Sequence, residues 1–174
     1  MFGVVWESSV VLAAKMAEED IGGRRVLEVG CGIGLASLVL HHRDVDITAT
    51  DRHPEAEAFL EANAALNEQE PIPFQRVDWN DGADALGRFD LIIGSDLLYD
   101  RPQAELLASF VDDHANPRCE MILVDPGRGH AAAFARAMEA RGFTHSRERA
   151  VDVPDLDLDT DPGPRMWFHS FRRG

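Results

Sequence analysis

Short continuous apolar runs alternate along this chain with longer stretches whose apolar residues recur at helical spacing. Ser8 or Ser9 is placed to cap a first helix reaching about Glu19, with Val10, Val11, Ala14 and Ala17 on its apolar face. Val26–Val29 reads as a buried strand and Leu35–His42 as the helix that follows. A second strand is expected over residues 46–51, and Pro54, at its preferred first position, opens a helix to about Asn67. Further strands are expected at 74–77, 89–94 and 121–124, with helices over 103–114 and 131–141, the last stopped by Gly142. The alternation then breaks. Residues 143–153 and 166–171 read as two strands with no helix between them, hence an antiparallel pair. The pattern predicts an α/β fold: a mostly parallel twisted sheet with helices on both faces and a C-terminal antiparallel hairpin. No linker, repeat or low-complexity tract divides residues 1–174, so one domain is expected.

Chemistry concentrates where the first strand meets its helix, in Leu27-Glu28-Val29-Gly30-Cys31-Gly32-Ile33-Gly34-Leu35. Glycines at such a turn let backbone approach a ligand, and the free N–H groups of the helix start favour an anion. The dinucleotide pattern G-x-G-x-x-G/A fails, because its sixth position is Leu35. What stands here is acidic-x-G-x-G-x-G, led by Glu28. The next strand ends in Asp51, about 20 residues after Gly30, where an acid can meet a ribose diol. Together these point to a nucleoside-containing cofactor.

Composition narrows the partners. The net charge of −14 makes nucleic acid a poor partner and suits a Lys-rich or Arg-rich protein segment. No apolar run reaches the 18 or so residues of a membrane span, and the start lacks a signal peptide's basic and apolar regions. Cys31 and Cys119, the two cysteines, have no metal-ligand spacing, so no metal is expected and a cytoplasmic monomer is the simplest reading. The acidic stretch 152–161 invites a calcium reading, but loops started at Asp155 or Asp157 lack the required Gly and Glu. A solvated loop, or a dock for a basic substrate, fits it better.

Four segments carry a family resemblance: Val5-Trp6-Glu7-Ser8-Ser9, the glycine turn, Asp78-Trp79, and Ser95-Asp96-Leu97-Leu98-Tyr99 at the end of the fourth strand. Thr50-Asp51-Arg52 followed by Asn63 and Asn67 also fits. The chain resembles the seven-β-strand, class I S-adenosylmethionine (SAM) methyltransferases, and among them the protein-lysine methyltransferases with an acidic-x-x-Tyr motif. The resemblance implies a Rossmann-like fold, SAM as cofactor, and a protein substrate with an accessible basic side chain, with a small amine as the alternative. It implies that Glu28, Gly30, Cys31, Gly32 and Gly34 surround the methionine part of SAM, with Glu28 helping to hold its amino group. It places Asp51 on the ribose, Arg52 beside the adenine, Asp78 at the adenine amino group, Trp79 near the ring, Ser95 in the cofactor site and Trp6 over the cofactor. Asp96 and Tyr99 would receive and orient the incoming amine, with proton loss to water.

Each residue has a plainer alternative: core aromatics for Trp6 and Trp79, a turn cap for Asp78, a helix cap for Asp96. Two departures from the family matter. Only five residues precede Trp6, fewer than the family usually has, and Asp125-Pro126-Gly127-Arg128 is not general to lysine enzymes. The second leaves room for an arginine or small-molecule substrate.

Overall fold

The computed structural model describes residues 3–81, 84–150 and 166–174. Helix α1 (Glu7–Glu18) leads into β1 (Val26–Val29), α2 (Leu35–His42), β2 (Ile47–Asp51), α3 (Ala56–Leu66) and β3 (Phe74–Arg76). Then come β4 (Phe89–Ser95), α4 (Arg101–His114), β5 (Ala115–Asp125), α5 (Ala131–Glu139), β6 (Thr144–Arg149) and β7 (Trp167–Arg173). The seven strands form one sheet in the order β3-β2-β1-β4-β5-β7-β6. The first five pair in parallel, while β7 runs antiparallel to both β5 and β6. The expected α/β architecture and terminal hairpin are therefore present.

Strand side chains alternate between faces, and the sheet accordingly carries two apolar cores. Leu27, Val29 and Ile92 pack with α4 and α5. Val26, Leu91 and Ile93 pack with α1, α2 and α3. Every residue of β1 is buried, as a central parallel strand requires. The order reverses between β1 and β4, and open sheets bind ligands at the C-terminal ends of such strands.

Several expected boundaries shift for local reasons. α1 starts at Glu7 with Trp6 as its cap residue, and Ser9 donates its hydroxyl to the Trp6 carbonyl (2.6 Å) instead of capping. Its buried face is Ser8, Val11, Leu12, Ala13 and Met16, so Ala17, expected inside, is exposed. Pro54 lies in the turn before α3. Asp100 caps α4, accepting the Gln103 N–H at 2.9 Å, so that helix begins earlier than Gln103. β5 runs back to Ala115 because Ala115 pairs with Phe89 of β4, while its pairing with β7 reaches back to Cys119. The proposed acidic loop at 152–161, and the end of the strand expected over 143–153, lie outside the described residues. Among the described residues no cluster suits a metal ion, and no helix is long and apolar enough to cross a membrane.

The hairpin carries a titratable pair. His145 Nε2 and His169 Nδ1 share a hydrogen bond of 3.0 Å, and the rings stack at 5.2 Å. Burial, with His145 and Arg147 nearby, pushes the His169 imidazole down to about 4. Below the unfolded-state value of about 6.5 the unfolded chain takes up this proton and the folded chain does not. Stability therefore falls as pH drops from about 6.5 towards 4, with a loss of about 2 kcal/mol from this group by pH 5. Urea midpoints at pH 7.5 and pH 5 check this. His169→Phe is expected to lose less than the parent over that interval, and an equal loss would remove His169 as the cause.

Candidate active site

The turn after β1 is held by backbone hydrogen bonds together with side chains from β2 and α3. The Cys31 N–H donates to the Thr50 carbonyl (2.9 Å), the Gly34 N–H to the Cys31 carbonyl (2.8 Å), and Asn63 Nδ2 to the Ile33 carbonyl (2.9 Å). Gly34 adopts φ +79, and a Cβ there would lie 2.2 Å from Leu60 Cδ1, so glycine is required by both conformation and space. Gly32 is different. Its φ is +57, but a Cβ would meet nothing within 4 Å, because the position faces an open cavity.

That cavity has a volume of about 360 Å³, within the range of small-molecule sites. It opens at the C-terminal ends of β1, β2 and β4, and its lining includes Gly30, Gly32, Asp51, Ser95 and Asp96. Trp6, Arg52, Asp78, Trp79 and Tyr99 also face it, as does Cys31. The structure thus gathers around one space nearly all the residues singled out in the sequence.

Glu28 and Gly34 are the two exceptions; Glu28, expected to help hold a ligand's amino group, is bonded inside the protein. Its side chain is 3 % exposed and is absent from the cavity wall. Glu28 Oε2 accepts the Ser37 backbone N–H at 2.9 Å and also the Ser37 hydroxyl. The cause lies in the helix start. Gly34 is the cap residue of α2 and has no side chain to satisfy the first N–H groups, so a carboxylate on the adjacent strand does it. Burial raises Glu28 to about 7, against the pull of the Ser37 bonds. Gly34 likewise sits behind the cavity, against Leu60, and shapes the turn from there.

Asp51 is oriented at both oxygens. Oδ2 accepts the Gly32 N–H (2.9 Å) and Oδ1 the His53 N–H (2.8 Å). Each oxygen keeps a second lone pair for a ligand hydroxyl. Asp78 does cap a turn, accepting from the Asn80 backbone N–H (3.0 Å) and Nδ2 (2.7 Å), while still facing the cavity. Those bonds hold its carboxyl below the usual range. Trp79 serves both readings, since it packs near Phe110 (6.4 Å between centroids) and lines the cavity. Trp6 is 49 % exposed, which removes the core-aromatic alternative.

Asp96 does not cap α4, since Asp100 does. It adopts φ +51, a left-handed conformation rare outside glycine, and its N–H is tied to the Val124 carbonyl at 2.8 Å. Both of its oxygens are engaged by Arg128, Nε to Oδ1 at 2.6 Å and Nη2 to Oδ2 at 2.7 Å. The same guanidinium lies 5.1 Å from the centre of the Tyr99 ring. Burial and the Asp96 charge push the Tyr99 phenol up, so it remains protonated at neutral pH. The Cys31 thiol is buried and pushed well up by burial and by Glu28, so it is no thiolate nucleophile. Arg128 is the functional neighbour that the sequence reading missed. The segment Asp125-Pro126-Gly127-Arg128 stood out there as unusual, but nothing in its spacing connects it to Asp96.

The lining fits a cationic sulfonium nucleoside. A backbone cradle open at Gly32 leaves room for its amino-acid tail, aromatic faces are present, and carboxylates outnumber the cation Arg52 on the wall.

Known proteins resemble this chain in sequence and in fold. Residues 1–138 match the profile of a family described as lysine methyltransferase. Zebrafish (Danio rerio) protein N-lysine methyltransferase METTL21A is 36 % identical over 104 residues, 55 % of this chain and 47 % of that protein. Zebrafish electron transfer flavoprotein beta subunit lysine methyltransferase is 29 % identical over 131 residues, covering 73 % of this chain and 50 % of its own. The chain spans about half the length of these curated relatives. Among solved structures, SAM-bound magnesium protoporphyrin IX methyltransferase from Synechocystis superposes with a TM-score of 0.71 at 20 % identity, over 94 % of this chain and 76 % of that one. Precorrin-6y C5,15-methyltransferase from Geobacter metallireducens gives 0.76 at 14 % identity, over 99 % and 94 %. These two likenesses speak for the fold.

Proposed function

The chain belongs to the lysine methyltransferase family, and on that premise we propose that it transfers a methyl group from SAM to a lysine side chain of a protein. The observation that carries the proposal is the single cavity in which Gly32 and Asp51 face Asp96 and Tyr99. In this reading Asp51 accepts the ribose hydroxyls, and Trp6 and Trp79 bound the nucleoside. When bound, SAM supplies an electrophilic methyl carbon and a positive sulfonium that takes the electron pair of the broken C–S bond. The chain's task is then to bring a neutral amine into line with that carbon. Neutralising a free lysine at pH 7 costs about 4.6 kcal/mol. Asp96 accepts one N–H of the neutral amine, leaving the nitrogen lone pair directed at the carbon. Tyr99 forms the wall of the same channel. The proton departs to water before transfer, and no side chain acts as a strong base. The acidic chain suits a substrate lysine in a basic segment.

S-adenosylhomocysteine (SAH) titrated into the protein by calorimetry tests the cofactor half of the proposal. Gly32→Asn is the informative variant, because Asn tolerates left-handed backbone while its side chain enters the cavity. SAH affinity is expected to fall at least tenfold with the melting temperature nearly unchanged. Equal affinity would place the ligand elsewhere. Radiolabelled SAM with a cell lysate tests the acceptor: a labelled protein band supports the proposal, and label confined to small molecules overturns the protein substrate.

A further inference from the structure

Arg128 occupies both groups to which the proposed mechanism assigns the incoming amine. Its fork takes both oxygens of Asp96, and its face covers the Tyr99 ring. We propose that Arg128 is the standing counter-ion of Asp96 and makes the acceptor position selective for a neutral amine over an ammonium. This rests on the reading of Asp96 as the amine-receiving group.

An unpaired carboxylate would bind the substrate as its ammonium, and the ammonium has no lone pair for transfer. With the guanidinium in place the Asp96 charge is offset, while each carboxylate oxygen retains capacity for one more N–H donor. A neutral amine can use that capacity, and an ammonium meets a fixed positive charge beside it. The other charged groups around this point do not supply the same offset. Asp51 has both oxygens on backbone N–H groups. Asp125, at the end of β5, is bonded to the Gly127 N–H (2.8 Å), has no partner for Oδ1, and is pushed by burial towards its neutral form. Arg52 acts on Tyr99 and His130 on Asp125, but neither forms an ion pair with Asp96 among the described residues. The loop holding Arg128 keeps its own shape through Gly127 and Gly129, at φ +84 and +92.

The test uses n-butylamine, a cation at pH 7 with the length of a lysine side chain, titrated into the protein and followed by NMR at the Asp96 and Tyr99 amides. Arg128→Gln is expected to bind it about tenfold tighter than the parent. Arg128→Met, with the stem but no donors, is expected to show the same gain, and Arg128→Lys to stay within about threefold. Adding Asp96→Asn is expected to abolish the gain. In methyl transfer to poly-L-lysine, the kcat profile, which reports groups in the bound complex, is expected to shift to the alkaline side by about one pH unit for Arg128→Gln and negligibly for Arg128→Lys. Unchanged or weaker n-butylammonium binding in both Arg128→Gln and Arg128→Met overturns the proposal. That titration needs neither cofactor nor turnover. A parent protein that fails to bind SAH therefore sinks the methyltransferase reading separately.

Discussion

Asp96→Asn is expected to lower methyl transfer to a lysine acceptor at least 100-fold while leaving SAH affinity within about threefold of the parent. The substitution is chosen for the backbone. Asp96 sits at φ +51, which Asn accepts and most side chains do not. Asp96→Ala would add conformational strain of about 1 kcal/mol to any chemical effect. Asn keeps the shape and one acceptor but loses the charge that anchors both nitrogens of Arg128. A guanidinium without its partner then stands beside the amine channel. Orientation of the nucleophile accounts for large factors in displacement reactions, and a group that acts only on the acceptor leaves cofactor binding alone. Single-turnover assays with SAH calorimetry on the same sample separate the two effects. Full activity in Asp96→Asn would remove Asp96 from the chemistry.

Asp51→Ala is expected to weaken SAH at least 100-fold and to destabilise the protein by about 2 kcal/mol. Both losses have one origin. Asp51 fixes the glycine turn through the Gly32 N–H and the next turn through the His53 N–H, and it presents its remaining lone pairs to the cavity. Removing it leaves two backbone donors to water and a ligand diol without acceptors. Asp51→Asn is no rescue, because one oxygen becomes an NH₂ facing an N–H donor. Calorimetry and urea denaturation measure the two losses. Undiminished SAH affinity in Asp51→Ala would remove the ribose role.

Most of the architecture was legible because parallel strands buried on both faces are written as unbroken apolar runs. The core of β4, residues 91–93, is such a run, and Val26–Val29 is interrupted only by Glu28. The ends were less legible because they depend on partners distant in the chain. β5 extends to Ala115 only once Phe89 of β4 pairs with it. In the site, the glycine turn and Asp51 could be read from spacing, since one strand–helix–strand unit holds both. Glu28 could not be oriented that way: the missing cap on α2 turns it away from the cavity, and no local rule states this. Arg128 was invisible for a similar reason. It meets Asp96 across 32 positions of sequence, through the end of β5.

The last strand of the chain is an inner plank of the sheet, since β7 lies between β5 and β6. During synthesis β5 therefore waits, with one bare hydrogen-bonding margin, until residues 167–173 have left the ribosome. A nascent chain stalled short of Trp167 would hold nearly the whole cavity lining yet display an adhesive apolar flank. Pairing of β7, more than assembly of the cavity, sets the moment at which this sheet is shielded from self-association.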